Sequence, residues 1–514
     1  YNKSKKHSYS EVMRLSKQDK YYLGVDIGTT STKAVLFDQA GQMGKTFQKG
    51  YPLITDLTGK AEQNPDDILQ AVKEVMGAAF HSAKENKQTI IAVGFSAAMH
   101  SLLCLDENRQ VLHPLITWAD TRAQKQVEAL GKRADISEIC ARTGVPNHPM
   151  TPLSKVCYLR EEHPTLFAQT HYFVGIKEYV IGQLTNHWVV DESLAASTGY
   201  YHLQNHDWDE ELLSLAGLER KQLSQIVPTT TQLSLSETIC DEWQLAESPQ
   251  IIVGASDGVL SNLGIQESLT NQLVITVGTS GAVRKIIETK TPQASQGLFL
   301  YPLAQNFFVE GGAVNNGGVI FQWLKEQFFA GEDYPNLLQK MTKIPAGSHG
   351  LLVLPHFFGE RAPYFQANLR GNILGLNHSH TKEDILKATM EGIILNLRQI
   401  VQRLDDKYGP SKQICLTGGM TNNTVIPQLF ADICQKEIIV TNCPESSCKG
   451  AAMLAMKACE KLTDFPAWSN STHIYTPNKA SSAIYNQLDQ LFSQAVPQVL
   501  SINQQLAHLQ QHFF

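Results

Sequence analysis

The same pattern of apolar strand, hydroxyl-rich turn and second strand occurs twice in this chain, far apart, and that repetition constrains it to fold as two related halves. The first copy, YYLGVDIGTTSTKAVLFD (21–38), passes from a β-prone run through Gly28, Thr29, Thr30 and Ser31 into another ending at Asp38. The second, LVITVGTSGAVRKII, leads Leu273 to Val277 into Gly278, Thr279, Ser280 and Gly281. About 250 residues separate the two turns, too long a period for a solenoid. The expected fold is α/β, with helix-flanked sheets in two lobes. Residues 21–258 would form the N-terminal lobe and 259–514 the C-terminal lobe, ending in a helical tail after about Pro466. Residues 1–20 are polar, lysine-rich and without apolar periodicity, and are read as a disordered leader or remnant outside the fold.

Bulk properties exclude several classes of function. Forty-three Lys and Arg against 49 Asp and Glu leave a formal charge of −6, and neither end carries a basic block. The electrostatic footprint of a nucleic-acid binder is therefore missing, and a small molecule is the expected partner. Nine cysteines show no repeated C-x-x-C pattern and read as reduced thiols of a cytoplasmic protein. No apolar run approaches the roughly 18 residues of a membrane span, so no membrane partner is expected.

A phosphate chain needs several convergent donors, and turns of Gly, Thr and Ser offer bare backbone N–H groups. One such hairpin is as readily an ordinary turn. Two in equivalent places of two lobes can grip one nucleoside triphosphate from opposite sides, and neither fits the Walker or Rossmann spacing. Asp26 ends the first strand, where it could hold Mg²⁺ through water, and Lys33 adds a positive charge. GGMTNN (418–423) lies on a strand-to-helix turn that could admit a nucleoside or be only a tight turn. The Gly318 to Gln322 stretch opens an amphipathic helix and is equally open. Asp257, between glycines in IIVGASDGVLSNLG (251–264), lies where the chain passes between lobes, the preferred place for small-molecule chemistry. It could accept a proton from a substrate hydroxyl or simply cap a helix. Met99, His100, Trp118, Asp120 and Arg122 fall near strand ends and together supply polar forks and an aromatic face for a polyol, although each alone also suits packing. The loop HFFGERAPYFQANLRG (356–371) could brace the lobes or be a solvated ion pair, and Lys155 reads as a helix-face lysine.

These segments together resemble the FGGY carbohydrate kinases of the actin-like ATPase superfamily, from about Tyr21 to Lys461. The most specific stretches are GNILGLNHSHTKEDILKATME (371–391), joined to GERAPYF, and MTPLSKVCYLREE (150–162), which has Tyr158 where tryptophan is usual. The resemblance implies two RNase H-like lobes around a deep cleft, with ATP and Mg²⁺ as cofactors. It assigns Asp26, Thr29, Thr30 and Lys33 to the first phosphate motif and Gly278 and Thr279 to the second. Gly318, Gln322, Gly418, Gly419 and Asn422 would hold adenosine, and Asp257 would be the catalytic base. SAAMHSLLCLD with TWADTRA is most similar to the members that phosphorylate D-gluconate, and D-xylulose is the alternative. An acid substrate needs a local cation, for which Arg122, His100 or Lys155 could serve. An actin-like chaperone or cytoskeletal ATPase and a non-catalytic sugar sensor are the rival readings, and homodimerisation is left open.

Overall fold

The computed structural model describes residues 20–513 apart from 267, 268, 270 and 471, so the leader read over residues 1–20 lies outside the described residues up to residue 19. Two sheets organise the chain. The first holds β1 (Lys20–Ile27), β2 (Ser31–Asp38), β3 (Met43–Gly50), β4 (Thr89–Ala97), β5 (Gln232–Leu233) and β6 (Gln250–Ser256) in the order β5-β6-β4-β1-β2-β3. The second holds β7 (Gln272–Val277), β8 (Gly281–Glu288), β9 (Phe299–Ala304), β10 (Phe307–Val314), β11 (Gln413–Thr417), β12 (Glu437–Thr441) and β13 (Thr472–Tyr475) in the order β9-β10-β8-β7-β11-β12-β13. Both repeat one plan. The hairpin strand β1 is antiparallel to β2 and parallel to β4, as β7 is antiparallel to β8 and parallel to β11. The chain is thus a two-lobed α/β protein of the actin-like, RNase H-like type. Its inner strands are buried on both faces, which is why Tyr22 to Val25 and Leu273 to Ile275 read as continuous apolar runs.

Helices cover the sheets, among them α1 (Pro65–Glu85) and, nearer the cleft, α2 (Pro152–Glu162) and α3 (Ile176–Thr185). Leaving β6, the chain enters α4 (Asp257–Ile265), and the second lobe adds α5 (Gly318–Phe328), α6 (Lys382–Tyr408), α7 (Val425–Cys434), α8 (Ser446–Cys459) and α9 (Ser482–Phe513). A capping box at Thr381 starts α6: its hydroxyl accepts from Asp384 N, and the Asp384 carboxylate accepts from Thr381 N at 2.8 Å. The tail after Pro466 is not wholly helical as expected. Four residues without helical periodicity, Thr472–Tyr475, add β13 antiparallel to β12 at the sheet edge before α9 begins.

Two helices tie the lobes together. α8 follows the second sheet yet packs on the first, where a Cβ at Gly24 would fall 1.9 Å from the Cys448 carbonyl oxygen. α8 also crosses α4 in backbone contact: a Cβ at Gly450 would lie 1.9 Å from Leu260 O, and one at Gly264 only 2.2 Å from Ser446 O. No larger residue fits without parting the helices. Gly450→Ala should therefore destabilise the protein by about 3 kcal/mol, seen as a lower midpoint in calorimetric melting. An unchanged midpoint would show that the crossing is slack.

Candidate active site

Asp26 and Ser96 are next to last in β1 and β4 and Ser256 ends β6, three neighbouring strands of the first sheet, and register places Asp26 beside Ser96 and Ala97 beside Ser256. The carboxyl ends of parallel strands are the usual ligand face of an α/β sheet. Asp257 comes next, the first residue of α4, while Ser256 and not Asp257 takes the N-cap position. Its Oδ1 accepts from Gly258 N at 2.7 Å. Burial above all, and then the charge of Asp26, push the Asp257 carboxyl up to about 6, against the pull of the Gly258 N–H and Arg284. Asp26 is itself raised by burial and opposed by the Ser96 hydroxyl, which donates to its Oδ1 at 2.6 Å. Two carboxylates with upward-shifted affinity for protons therefore share one strand-end face.

Behind Asp257 a buried network that sequence reading missed fixes its backbone. Lys177 on α3 pairs with Asp191 at 2.8 Å and donates to Ala255 O at 3.1 Å, and Ser193 donates its hydroxyl to Ser256 Oγ at 3.0 Å. With both charges paired, the ion pair can stay buried.

Each hairpin tip closes through its glycine N–H, Gly28 N donating to Ser31 O at 3.1 Å and Gly278 N to Ser280 O at 2.9 Å. Thr30 and Thr279 are exposed at the tips. Tyr51 and Gln63 buttress the first tip through the Gly28 and Thr29 carbonyls, at 2.6 and 2.7 Å. The second docks on α5, whose Gly318 and Val319 N–H groups donate to the Gly278 and Thr279 carbonyls at 2.7 and 3.1 Å. Lys33 reaches across to Glu445, the N-cap of α8, at 2.9 and 3.0 Å. The next residue, Ser446, lines a cavity of about 820 Å³ with Ser261, Thr276, Gly418, Gly419, Asn422 and Thr441. The first tip and the floor of the second sheet thus meet at residues 445 and 446.

That cavity fits a polar ligand. The Thr276 and Thr441 hydroxyls are buried in its wall with no hydrogen-bond partner, a cost that a bound ligand would relieve. Gly418, at φ +110°, would place a Cβ 2.2 Å from Val277 O, so the turn must be glycine. A Cβ on Gly278 or Gly419 would meet nothing within 4 Å. Of the segments expected around a nucleoside, Gly418, Gly419 and Asn422 line the cavity and Gly318 supports the second tip. Gln322 differs. It is exposed on α5, bonded to Glu326 at 2.9 Å and absent from the lining.

The segments expected to read a polyol divide in two. His100, at φ +65°, donates Nδ1–H to Ser197 O at 2.7 Å, while burial and then Lys155 hold its affinity for protons down to about 3. It is neutral and cannot be the local cation. Met99 stands beside Gly258, its Cε 3.3 Å from where a Cβ would be. Trp118, 41 % exposed, donates its indole N–H to Thr29 Oγ1 at 2.9 Å and so joins this group to the first tip. Asp120 and Arg122 instead satisfy each other: Arg122 Nη2 donates to Asp120 at 2.6 Å and to Glu62 at 2.7 Å, and Asp120 also accepts from Ala61 N. Lys155 is not a surface lysine but is buried on α2, donating to His100 O, with burial lowering it to about 7. The 356–371 loop is no solvated ion pair either. Glu360 is buried and accepts from Asn315 N, Asn316 Nδ2 and Asn396 Nδ2, bracing the loop against α6.

Paired phosphate-type hairpins, a cavity at the strand ends and a carboxylate between the lobes define a two-lobed phosphotransferase. Residues 21–264 match the model for the N-terminal domain of the FGGY family of carbohydrate kinases and residues 273–459 that for its C-terminal domain. The chain belongs to this family and is a carbohydrate kinase, a class that uses ATP. Gluconokinase from Bacillus subtilis is 39% identical over 487 residues, 92% of this chain and 94% of that protein. Two solved structures from Lactobacillus acidophilus, a gluconate kinase and a ligand-bound xylulose kinase, each superimpose with a TM-score of 0.88 at 34% identity. They cover 94% and 93% of this chain, and 98% of their own chains is matched in each case. Family membership sets aside the chaperone and cytoskeletal readings.

Removing the donor that opposes protonation of Asp26 tests whether that carboxylate serves the nucleotide. Ser96→Ala should let Asp26 take up a proton at higher pH, so affinity for Mg²⁺ and a non-hydrolysable ATP analogue should fall on going from pH 8 to pH 6 more steeply than in the unmodified protein. Calorimetric titrations at both pH values with the same slope for the two proteins would separate Asp26 from the nucleotide.

Proposed function

We propose that the chain transfers the γ-phosphoryl group of ATP to D-gluconate, giving 6-phospho-D-gluconate and ADP. The observation that carries this reading is Asp257 at the mouth of α4, between the first sheet and the strand that follows the second tip, with its carboxyl raised to about 6. At neutral pH it is ionised yet basic enough to accept a proton. The substrate oxygen forms its bond to the γ-phosphorus as the bond to the β–γ bridging oxygen breaks, ADP leaves, and the hydroxyl proton passes to Asp257. Little covalent work is asked of the protein, so alignment and charge neutralisation do most of it.

In this reading Thr29, Thr30 and Lys33 face the phosphates from the first tip and Gly278 and Thr279 from the second. Gly418, Gly419 and Asn422 hold the nucleoside, with Gly318 fixing the turn beneath it. Asp26, whose only described side-chain donor is Ser96, suits a hydrated Mg²⁺, which would neutralise phosphate charge. His100, Met99 and Trp118 face the sugar, while Asp120 and Arg122 anchor the loop carrying Trp118. Gluconate is favoured over other sugars by the 39% identity to a gluconokinase and by unpaired guanidinium groups in the cleft. D-Xylulose is the second reading, because the xylulose kinase from Lactobacillus acidophilus superimposes as well as the gluconate kinase does.

Asp257→Asn should lower kcat about 10²–10⁴-fold while gluconate and nucleotide still bind. In the unmodified enzyme activity should decline below about pH 6, as Asp257 takes up its proton, and remain on the alkaline side. A coupled ADP-release assay over pH 5 to 8, with gluconate, xylulose, ribulose and glycerol as acceptors, reads both. Near-normal turnover by Asp257→Asn, or greater turnover of xylulose than of gluconate, would contradict the mechanism or the substrate respectively.

A further inference from the structure

We propose that Arg284 and Arg361 form the anion anchor of the sugar subsite, holding the carboxylate of an open-chain sugar acid while its distal hydroxyl meets Asp257. This deepens the gluconate reading and rests on it. Arg284 lies on β8, one strand beyond the second tip, paired with Val274 and Gly311. Its side chain leaves the sheet toward α4, so that a Cβ at Gly258 would stand 3.5 Å from both its Nε and its Nη2 and 3.3 Å from Met99 Cε. The guanidinium and Met99 therefore flank the residue after Asp257. Arg361 reaches the same region from the 356–371 loop, anchored by Nη2 to Val314 O at 3.2 Å and by its backbone N–H to Glu360 at 2.9 Å.

Both arginines are left wanting an acceptor. The Nε of each is buried without a hydrogen-bond partner, and among the described residues neither guanidinium has a carboxylate within ion-pair distance. Three other cations drawn into the protein each have a carboxylate partner: Arg122 with Asp120 and Glu62, Lys177 with Asp191, Arg142 with Asp209. Two unmatched guanidinium groups in one cleft of a protein with a charge of −6 carry a desolvation cost and repel each other, and a bound anion removes both penalties. Asp257 attracts Arg284, but one carboxylate cannot balance two guanidinium groups, and its Oδ1 already accepts from Gly258 N.

The sugar side is favoured over the phosphates by the neighbours. Burial above all keeps the His100 and His148 rings neutral, and the charges of Lys155 and Arg361 add to it at both. Tyr301, whose ring meets His100 edge-on at 6.2 Å, feels Asp257 and both arginines. The hairpin tips carry no such contact to either. A guanidinium fork also matches a carboxylate in two parallel hydrogen bonds, which a neutral ketose cannot offer.

Calorimetric titration of the full chain with D-gluconate and, separately, with Mg²⁺ and a non-hydrolysable ATP analogue tests this for Arg284→Gln, Arg361→Gln and Arg284→Lys. Gluconate affinity should fall at least about 10-fold in both glutamine variants, as expected for a lost charge-assisted hydrogen bond, with partial recovery in Arg284→Lys and nucleotide affinity within about twofold. Gluconate affinity within about twofold of the unmodified protein would overturn the anchor. So would parallel loss of nucleotide and gluconate in Arg284→Lys, which would make Arg284 a phosphate ligand or a strut. An unmodified protein that turns over xylulose but neither binds nor turns over gluconate would instead overturn the gluconate reading on which the anchor rests.

Discussion

The crossing of α4 and α8 at bare backbone is the constraint on which the rest of this structure depends. Each helix leaves the end of one sheet and runs to the other lobe, and glycines at 264 and 450 let the two touch carbonyl to Cα. Because Asp257 begins one helix and Glu445 caps the other, the same crossing sets the Asp257 carboxylate and the partner of Lys33 at the seam between lobes. A methyl group at the crossing would move both. Core packing transmits such shifts because it does not deform smoothly, so the geometry of the cleft and the stability of the lobe junction are one property.

Charge in the cleft is arranged by opposition. Burial raises the hold of Asp26 and Asp257 on protons, and the charge of Asp26 raises Asp257 further, while the Ser96 hydroxyl restrains the first and the Gly258 N–H the second. Lys33 and Glu445 neutralise each other beside the first tip. Among the described residues Arg284 and Arg361 have no carboxylate within ion-pair distance, although Asp257 attracts the one and Glu360 the other. In the proposed reading the site is completed by its substrates, with negative charge entering beside the guanidinium groups and a cation beside Asp26.

Much of this was legible in the sequence because it is local. A strand, a Gly-Thr-Ser turn and a second strand specify a hairpin without help from the rest of the chain, and both hairpins formed where they were read. Asp257 was legible for the same reason, since a strand that ends in Ser-Asp-Gly before an apolar run places its aspartate at a helix start. What escaped is what tertiary packing decides. Asp120 and Arg122 read as a polyol fork, but Glu62, sixty residues earlier, completes a closed ion-pair cluster with them. Gln322 falls on the outer side of its helix because the turn of α5 is set by Gly318 docking on Gly278. Arg284 carried one overlooked signal: adjacent Arg284 and Lys285 interrupt an otherwise apolar strand, so one charge had to point to each face. Lys285 finds Ser411 and the Gly409 carbonyl, and Arg284 faces the cleft.

The central claim is that both hairpin tips grip a single nucleotide. Hydrogen exchange measured with and without Mg²⁺ and a non-hydrolysable ATP analogue tests it most directly. The account predicts that amides of residues 28–32 and 278–281 gain protection together, at the same ligand concentration, along with those of 418–422. Protection confined to one tip, or appearing at the two tips with different concentration dependence, would contradict it.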